Sequence, residues 1–248
     1  MKKRDDLRLL LLQIREGEHV RVEEHQSFAR YCELKPEQIR ILNVFDTPRF
    51  EPSVVDGYDA VLVGGASEAN VLEPERYTFV SDAKRLLRRC AELDMPVFAS
   101  CFGFQLAVLA LGGEIKHRDV GFEMGTIPIS LTELAAGDPL FRDRPDPFMA
   151  VSVHRQYADQ LPDACELLAY TEQCAHAFKL RGKRFWAFQF HPEVDKRILV
   201  ERLTHYKAHY TDGDGHLDAV LSSAVETPHS NHLMTAFVDR IVLGAGSQ

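Results

Sequence analysis

Short apolar runs with few or no polar interruptions restrict this fold more than any other feature of the chain. Leu7–Ile14, Ile39–Val44, Ala60–Val63 and Pro96–Ser100 each read as a strand buried on both faces. Between them lie stretches with helical spacing. Gln26–Glu33 is one, and Asp82–Leu93, with Ala83, Leu86, Leu87, Cys90 and Leu93 in step, is another. Buried strands separated by helices require a parallel sheet covered on both faces.

Beyond Gly113 the pattern changes. Thr126–Leu131, Phe148–Val153, Glu166–Thr171, Ala175–Leu180 and Arg184–Phe190 read as shorter strands joined by turns. Leu199–Leu243 is helical again, with Leu233, Phe237 and Ile241 at helical spacing and breaks at Thr211–Gly215 and Thr227-Pro228. The expected class is α/β. It comprises a single flavodoxin-like, doubly wound, mostly parallel sheet with helices on both faces, a smaller antiparallel section and a helical C-terminal tail. No repeat or long linker interrupts the chain, so one domain is expected over 1–248, with the tail over 196–248.

Composition removes several classes of partner. A formal net charge of −8 disfavours nucleic acid and anionic membrane surfaces. No apolar run approaches the roughly 18 residues of a membrane-spanning helix. The start, "MKKRDDLRLLLLQIREGEHV", lacks the apolar core and cleavage site of a signal peptide. The five cysteines are odd in number, scattered and without a CxxC pair. That usage fits a reducing cytoplasm better than a disulfide framework or a zinc site.

One cysteine stands apart. In "PVFASCFGFQLAVLALGG", Cys101 falls between a strand and an apolar helix, with small Ala99 and Gly103 two residues to either side. A sharp strand-to-helix turn that exposes a nucleophile needs small residues at those places. The helix that follows points its positive dipole end at the thiol. The same stretch also suits a buried core thiol, the common fate of cysteine.

A nucleophilic thiol needs an imidazole base and a group to orient it. The chain has eleven histidines, so one more carries little weight. "FWAFQFHPEV" is different: a buried strand runs into His191, Pro192 ends it, and Glu193 follows two residues after the imidazole. Sites in open α/β sheets form at the carboxyl ends of strands.

Together these segments resemble the class I (triad) glutamine amidotransferases, the group that contains the amidotransferase domain of GMP synthase. "VLVGGAS" (61–67), "PVFASCFGFQLAVLALGG" (96–113), "GFEMGTIPI" (121–129), "VSVHRQYADQLP" (151–162) and "FWAFQFHPEV" (185–194) follow in the family's order, a motif core over 61–195. The resemblance implies that Cys101 attacks the side-chain amide of glutamine. His191 is then the base and Glu193 its orienter. Backbone N–H groups of Gly65 and Phe102 form the oxyanion hole, and Gly64, Gln105, Val153 and His154 contact substrate. It implies glutamine or a γ-glutamyl compound as substrate. A true amidotransferase also needs a separate synthetase subunit to accept ammonia. Ala99 stands where the family usually has glycine, and Ser100 where it has an aliphatic residue. The elbow tolerates both.

Neither a P-loop nor a GxGxxG is present, so no cofactor is expected. "TDGDGHLD" spaces Asp212, Asp214, His216 and Asp218 like the start of a calcium loop. Leu217 replaces the central glycine and Ser223 the closing glutamate, so a solvated turn is expected. His205 and His209 lack the glutamate of a zinc-protease helix, and no metal is expected. The pyrophosphatase loop of a synthetase is missing, and Lys196–Gln248 is too short to hold one. Three functions stay open: a hydrolase acting alone, a partner-dependent or regulatory amidotransferase-like protein, and a PfpI-like cysteine hydrolase. The last commonly has histidine where Phe102 stands.

Overall fold

A computed structural model describes residues 2–205 and 214–244, without the side chains of 214–216. Asp212 and His209 lie outside these residues. Nine strands form one sheet in the order β2-β1-β3-β4-β11-β10-β9-β6-β7. Five of them run parallel: β2 (Ile39–Asn43), β1 (Leu9–Gln13), β3 (Ala60–Val63), β4 (Val97–Ser100) and β11 (Phe185–Phe188). Their order is that of the flavodoxin-like doubly wound fold, reversing direction between β1 and β3. The antiparallel section continues the same sheet through β10 (Ala175–Leu180), β9 (Cys165–Tyr170), β6 (Glu123–Leu131) and β7 (Phe148–His154). A separate two-stranded pair joins β5 (Lys116–His117) to β8 (Gln156–Tyr157).

The side-chain alternation of each parallel strand divides its residues between two cores. Leu10, Leu12, Val61 and Val63 pack with Leu86, Leu87 and Cys90 of α2 (Phe79–Glu92) and Leu106 of α3 (Phe102–Ala110). Leu9, Leu11, Ala60 and Leu62 pack on the other face with Phe28 of α1 (Glu18–Tyr31) and Leu233 of α6 (Pro228–Ala236). Full burial of one such side chain contributes about 1.5–3 kcal/mol. A third cluster joins α4 (Lys196–His205) and α5 (Asp214–Ser223) to Met124 and Val151 at the ends of β6 and β7. No helix among the described residues is long and apolar enough to cross a membrane.

Two boundaries differ from expectation. α1 begins at Glu18 rather than Gln26, and its core-facing side includes Glu24 and Ser27, both buried. Polar residues on a buried face erase the apolar periodicity by which a helix is read. β6 begins at Glu123 rather than Thr126, because Glu123, Met124 and Gly125 pair with His154, Val153 and Ser152.

Candidate active site

The ends of β1, β3, β4 and β11 deliver Arg15, Gly65, Cys101 and His191 to one crevice. β4 ends at Ser100, and Cys101 takes φ +50° and ψ −99° before α3 starts at Phe102. A positive φ costs a residue with a Cβ of the order of 1–3 kcal/mol and persists only where surrounding contacts enforce it. Cys101 N–H donates to Phe188 O at 2.7 Å, and Gln105 N–H donates to Cys101 O at 3.1 Å. Gly103 packs α3 onto β3, since a Cβ there would lie 2.9 Å from Val63 Cβ. Ser100 is buried and donates its hydroxyl to Val63 O at 3.3 Å, which satisfies the polar group where an aliphatic side chain is usual. Ala99 faces Val63 on one strand and small Ala187 on the other.

His191 N–H donates to Val151 O at 2.8 Å, and its ring Nδ1 lies 2.7 Å from Glu193 Oε1. Burial works against the charged imidazole. Cys101 and then Glu193 outweigh it and raise the His191 pKa to about 9. Burial likewise opposes the Glu193 charge, but His191 and Arg202 hold its carboxyl at about 2. The Cys101 sulfur lies 3.9 Å from Val153 O and 4.0 Å from Gln189 Nε2.

The two glycines after β3 are there for room. A Cβ on Gly65 would sit 2.7 Å from His191 Cε1 and 3.2 Å from Arg15 Nη2. One on Gly64 would sit 2.9 Å from Glu24 Oε1. Gly64 N–H is already bonded to Leu12 O at 3.1 Å. Phe102 begins a helix, whose first N–H groups have no partner within the helix. Gln105 is buried one turn along and donates to Gln156 O at 3.3 Å. His154 directs its side chain away from the thiol, toward Glu123 at 3.1 Å and Gln156 O at 3.0 Å.

Several neighbours of the site carry no signal in the sequence. Arg15 and Glu24 form a fully buried pair, Nε to Oε1 at 2.8 Å, directly behind Gly64-Gly65. Burial penalises the guanidinium, yet Glu24, Glu68 and Glu193 hold its pKa well above the ordinary value. Arg202 of α4 bonds Glu23 at 2.8 Å and approaches Glu193 Oε1 at 4.0 Å. The turn that carries His191 and Glu193 is fixed from the C-terminal helices. Asn231 Nδ2 donates to Pro192 O at 2.8 Å and to Val194 O at 3.0 Å. Ser27 Oγ donates to Glu193 O. Charged and amide side chains look like surface residues in a sequence, and their burial beside the site is set by the fold alone.

A cavity of about 30 Å³ lies against His191, lined also by Arg15, Ser67, Val153, Leu199 and Arg202. Cys101 itself is 4% exposed.

Comparison with known proteins places this geometry in context. The family described as Glutamine amidotransferase class-I matches residues 29–204. A GMP synthase [glutamine-hydrolyzing] of Thermotoga sp. (strain RQ2) is 32% identical over 177 residues, covering 71% of this chain and 32% of the relative. The glutamine-hydrolyzing subunit of a GMP synthase from Methanococcus vannielii is 35% identical over 101 residues, covering 40% of this chain and 51% of that protein. The chain therefore spans about a third of the length of the first of these relatives and half of the second. The crystal structure of a glutamine amidotransferase from Thermotoga maritima shares the fold, with a TM-score of 0.76 and 20% identity over 95% of this chain and 98% of that one.

Proposed function

The chain belongs to the class I glutamine amidotransferases, and from that premise we propose that it hydrolyses the γ-amide of glutamine, or of a γ-glutamyl compound, through a thioester on Cys101. The observation that carries this reading is the Cys101 turn at φ +50° facing an imidazole that Glu193 holds at 2.7 Å. In this reading His191 takes the thiol proton and Cys101 Sγ attacks the amide carbon. The oxyanion is met by N–H groups of Gly65 and Phe102, which cost no reorganisation as charge develops. His191 returns the proton to the departing nitrogen, and the C–N bond breaks to release ammonia or an amine. His191 then draws a proton from water, which attacks the thioester and frees the acid and the thiol. Gly64, Gln105 and the backbone at Val153 and His154 line the substrate side. No cofactor takes part, and residues 1–248 act as one domain.

The test is release of ammonia or amine from glutamine and a panel of γ-glutamyl compounds, for the wild type and Cys101→Ala. Activity that survives Cys101→Ala sinks the mechanism. A glutamine-analogue alkylator that labels Cys101 identifies an assembled thiol even where turnover is absent.

A second reading is a glutaminase that waits for a synthetase partner. Cys101 is buried, and the adjoining 30 Å³ is about the volume of one water molecule, far less than glutamine needs. The site must open, and a partner that accepts ammonia is a natural trigger. The Methanococcus relative is itself named as one subunit of its enzyme. Turnover that appears only when a synthetase is added supports this reading over the first.

A further inference from the structure

Away from the thiol, four side chains that the reaction does not use converge on one point. Glu123 opens β6 and His154 closes β7, directly opposite each other in the strand register. Cys174 and His176 lie two apart at the start of β10, so both point to the same side of the strand. Glu123 Oε2 lies 2.8 Å from His176 Nε2, 3.1 Å from His154 Nε2 and 3.8 Å from Cys174 Sγ. One donor atom from each of the four residues lies within 4.8 Å of all the others. We infer that Glu123, His154, Cys174 and His176 form a four-ligand site for a divalent transition metal of the zinc class, bracing the strand that carries Val153.

The tautomer of His154 is the strongest argument. Its Nδ1 lies 3.0 Å from Gln156 O, and a carbonyl can only accept, so Nδ1 carries the hydrogen. Nε2 is then a bare lone pair, 3.1 Å from a carboxylate oxygen and with no directed hydrogen bond. Burial lowers the His154 pKa, which keeps that nitrogen unprotonated. Two lone pairs held face to face in a buried site need a cation between them. Donation of the second ring N–H to a backbone carbonyl is also the usual way a metal-bound histidine is oriented.

Charge and geometry agree. A divalent ion, one carboxylate and one thiolate sum to zero, the balance a buried site requires. Burial and Glu123 push the free Cys174 thiol up to about 12, so it is protonated until a metal displaces the proton. A tetrahedron with bonds of about 2.0–2.3 Å separates its ligand atoms by roughly 3.3–3.8 Å, close to the spacings here. Two imidazoles, a thiolate and a carboxylate favour zinc over calcium or magnesium, which take oxygen. Four protein ligands leave no open position, so the ion is structural. A small cavity lined by Arg118, Phe122, Arg155 and Cys174 adjoins the cluster and gives an entry path. The brace reaches the thiol in two ways. Val153 O, one residue before His154, lies 3.9 Å from Cys101 Sγ, and Gln156 O takes bonds from both His154 and Gln105.

The test uses the full chain stripped with a chelator and titrated with Co²⁺. A sulfur-to-cobalt charge-transfer band and tetrahedral visible bands are expected in the wild type and in Cys101→Ala, and not in Cys174→Ala. Zn²⁺ should raise the Tm of the stripped wild type, and His176→Gln should weaken Zn²⁺ binding by about 100-fold or more. Absence of the band, its loss in Cys101→Ala, or an unchanged Tm overturns the inference. Should Cys174→Ala fail to fold, alkylation of the Cys101→Ala protein decides the matter. Zn²⁺ that protects Cys174 supports the site, and equal labelling with and without Zn²⁺ overturns it.

Discussion

His191 Nδ1 sits 2.7 Å from Glu193 Oε1, and the carboxylate that fixes the imidazole is itself fully buried. The pair therefore sets which ring nitrogen faces Cys101. Glu193→Gln keeps the shape and offers an amide that can donate to Nδ1, which favours the wrong tautomer. Glutamine hydrolysis should lose about 10²–10⁴-fold in kcat with KM little changed. Steady-state ammonia release measures this, and a loss under tenfold would mean that Glu193 does not orient the base.

The same pair predicts a pH window for stability. His191 is raised from 6.5 to about 9, so its contribution is complete below pH 6.5 and is lost as pH rises through about 9. Glu193 is lowered from 4.5 to about 2, so its contribution is complete above pH 4.5 and is lost as pH falls through about 2. The stabilisation is full only between pH 4.5 and 6.5. Denaturant unfolding across pH should show this plateau. In Cys101→Ala, which lacks the largest contribution raising the imidazole pKa, the alkaline limb should move to lower pH.

Gly65→Ala places a methyl 2.7 Å from His191 Cε1 and 3.2 Å from a buried guanidinium, neither of which can swing freely aside. The imidazole must shift relative to both Cys101 and Glu193. A displacement of about 1 Å at a catalytic group costs on the order of 10²-fold in rate, and overpacking costs about 1–3 kcal/mol in stability. A crystal structure and kcat of the variant check both effects. Wild-type kcat would show that the glycine is there only to end the strand.

The parallel half of the sheet and the reacting pair are legible in the residues themselves. Continuous apolar runs such as Ala60–Val63 mark parallel strands because both their faces are buried, and Cys101 and His191 each follow such a run. Polar groups turned inward leave no such mark. Glu24 and Arg15 are indistinguishable in a sequence from solvated charges, and Asn231 sits in a helix whose contact with the His191 turn depends on chain folding over long range. Glu123, His154, Cys174 and His176 come from three separate strands, and only sheet register joins them.

Arg15 and Glu24 offer a test of how the glycine turn is supported. Breaking a buried ion pair leaves an uncompensated charge and costs about 3–5 kcal/mol, whereas replacing both partners with apolar residues of similar size is often close to neutral. Glu24→Gln should therefore unfold at markedly lower denaturant than Arg15→Met/Glu24→Leu. Equal stability of the two proteins would show that the pair is not electrostatically balanced as described.

Asn231 links the C-terminal helices to the chemistry. Its amide donates to the carbonyls of Pro192 and Val194, the residues that flank Glu193, and it is buried. Asn231→Ala leaves both carbonyls without that donor, at a cost of about 1–3 kcal/mol. The turn then loosens, and kcat should fall even at temperatures where the protein is fully folded. Leu233→Ala in the same helix removes core packing at a comparable or larger cost, about 2–5 kcal/mol, without touching that turn. The two variants separate positioning from stability. If α6 positions the base, Asn231→Ala loses both Tm and kcat, while Leu233→Ala loses Tm and keeps kcat when assayed well below its own melting range. If both keep kcat, the helices only complete the core, and the geometry of His191 and Glu193 is held by Ser27 and the sheet.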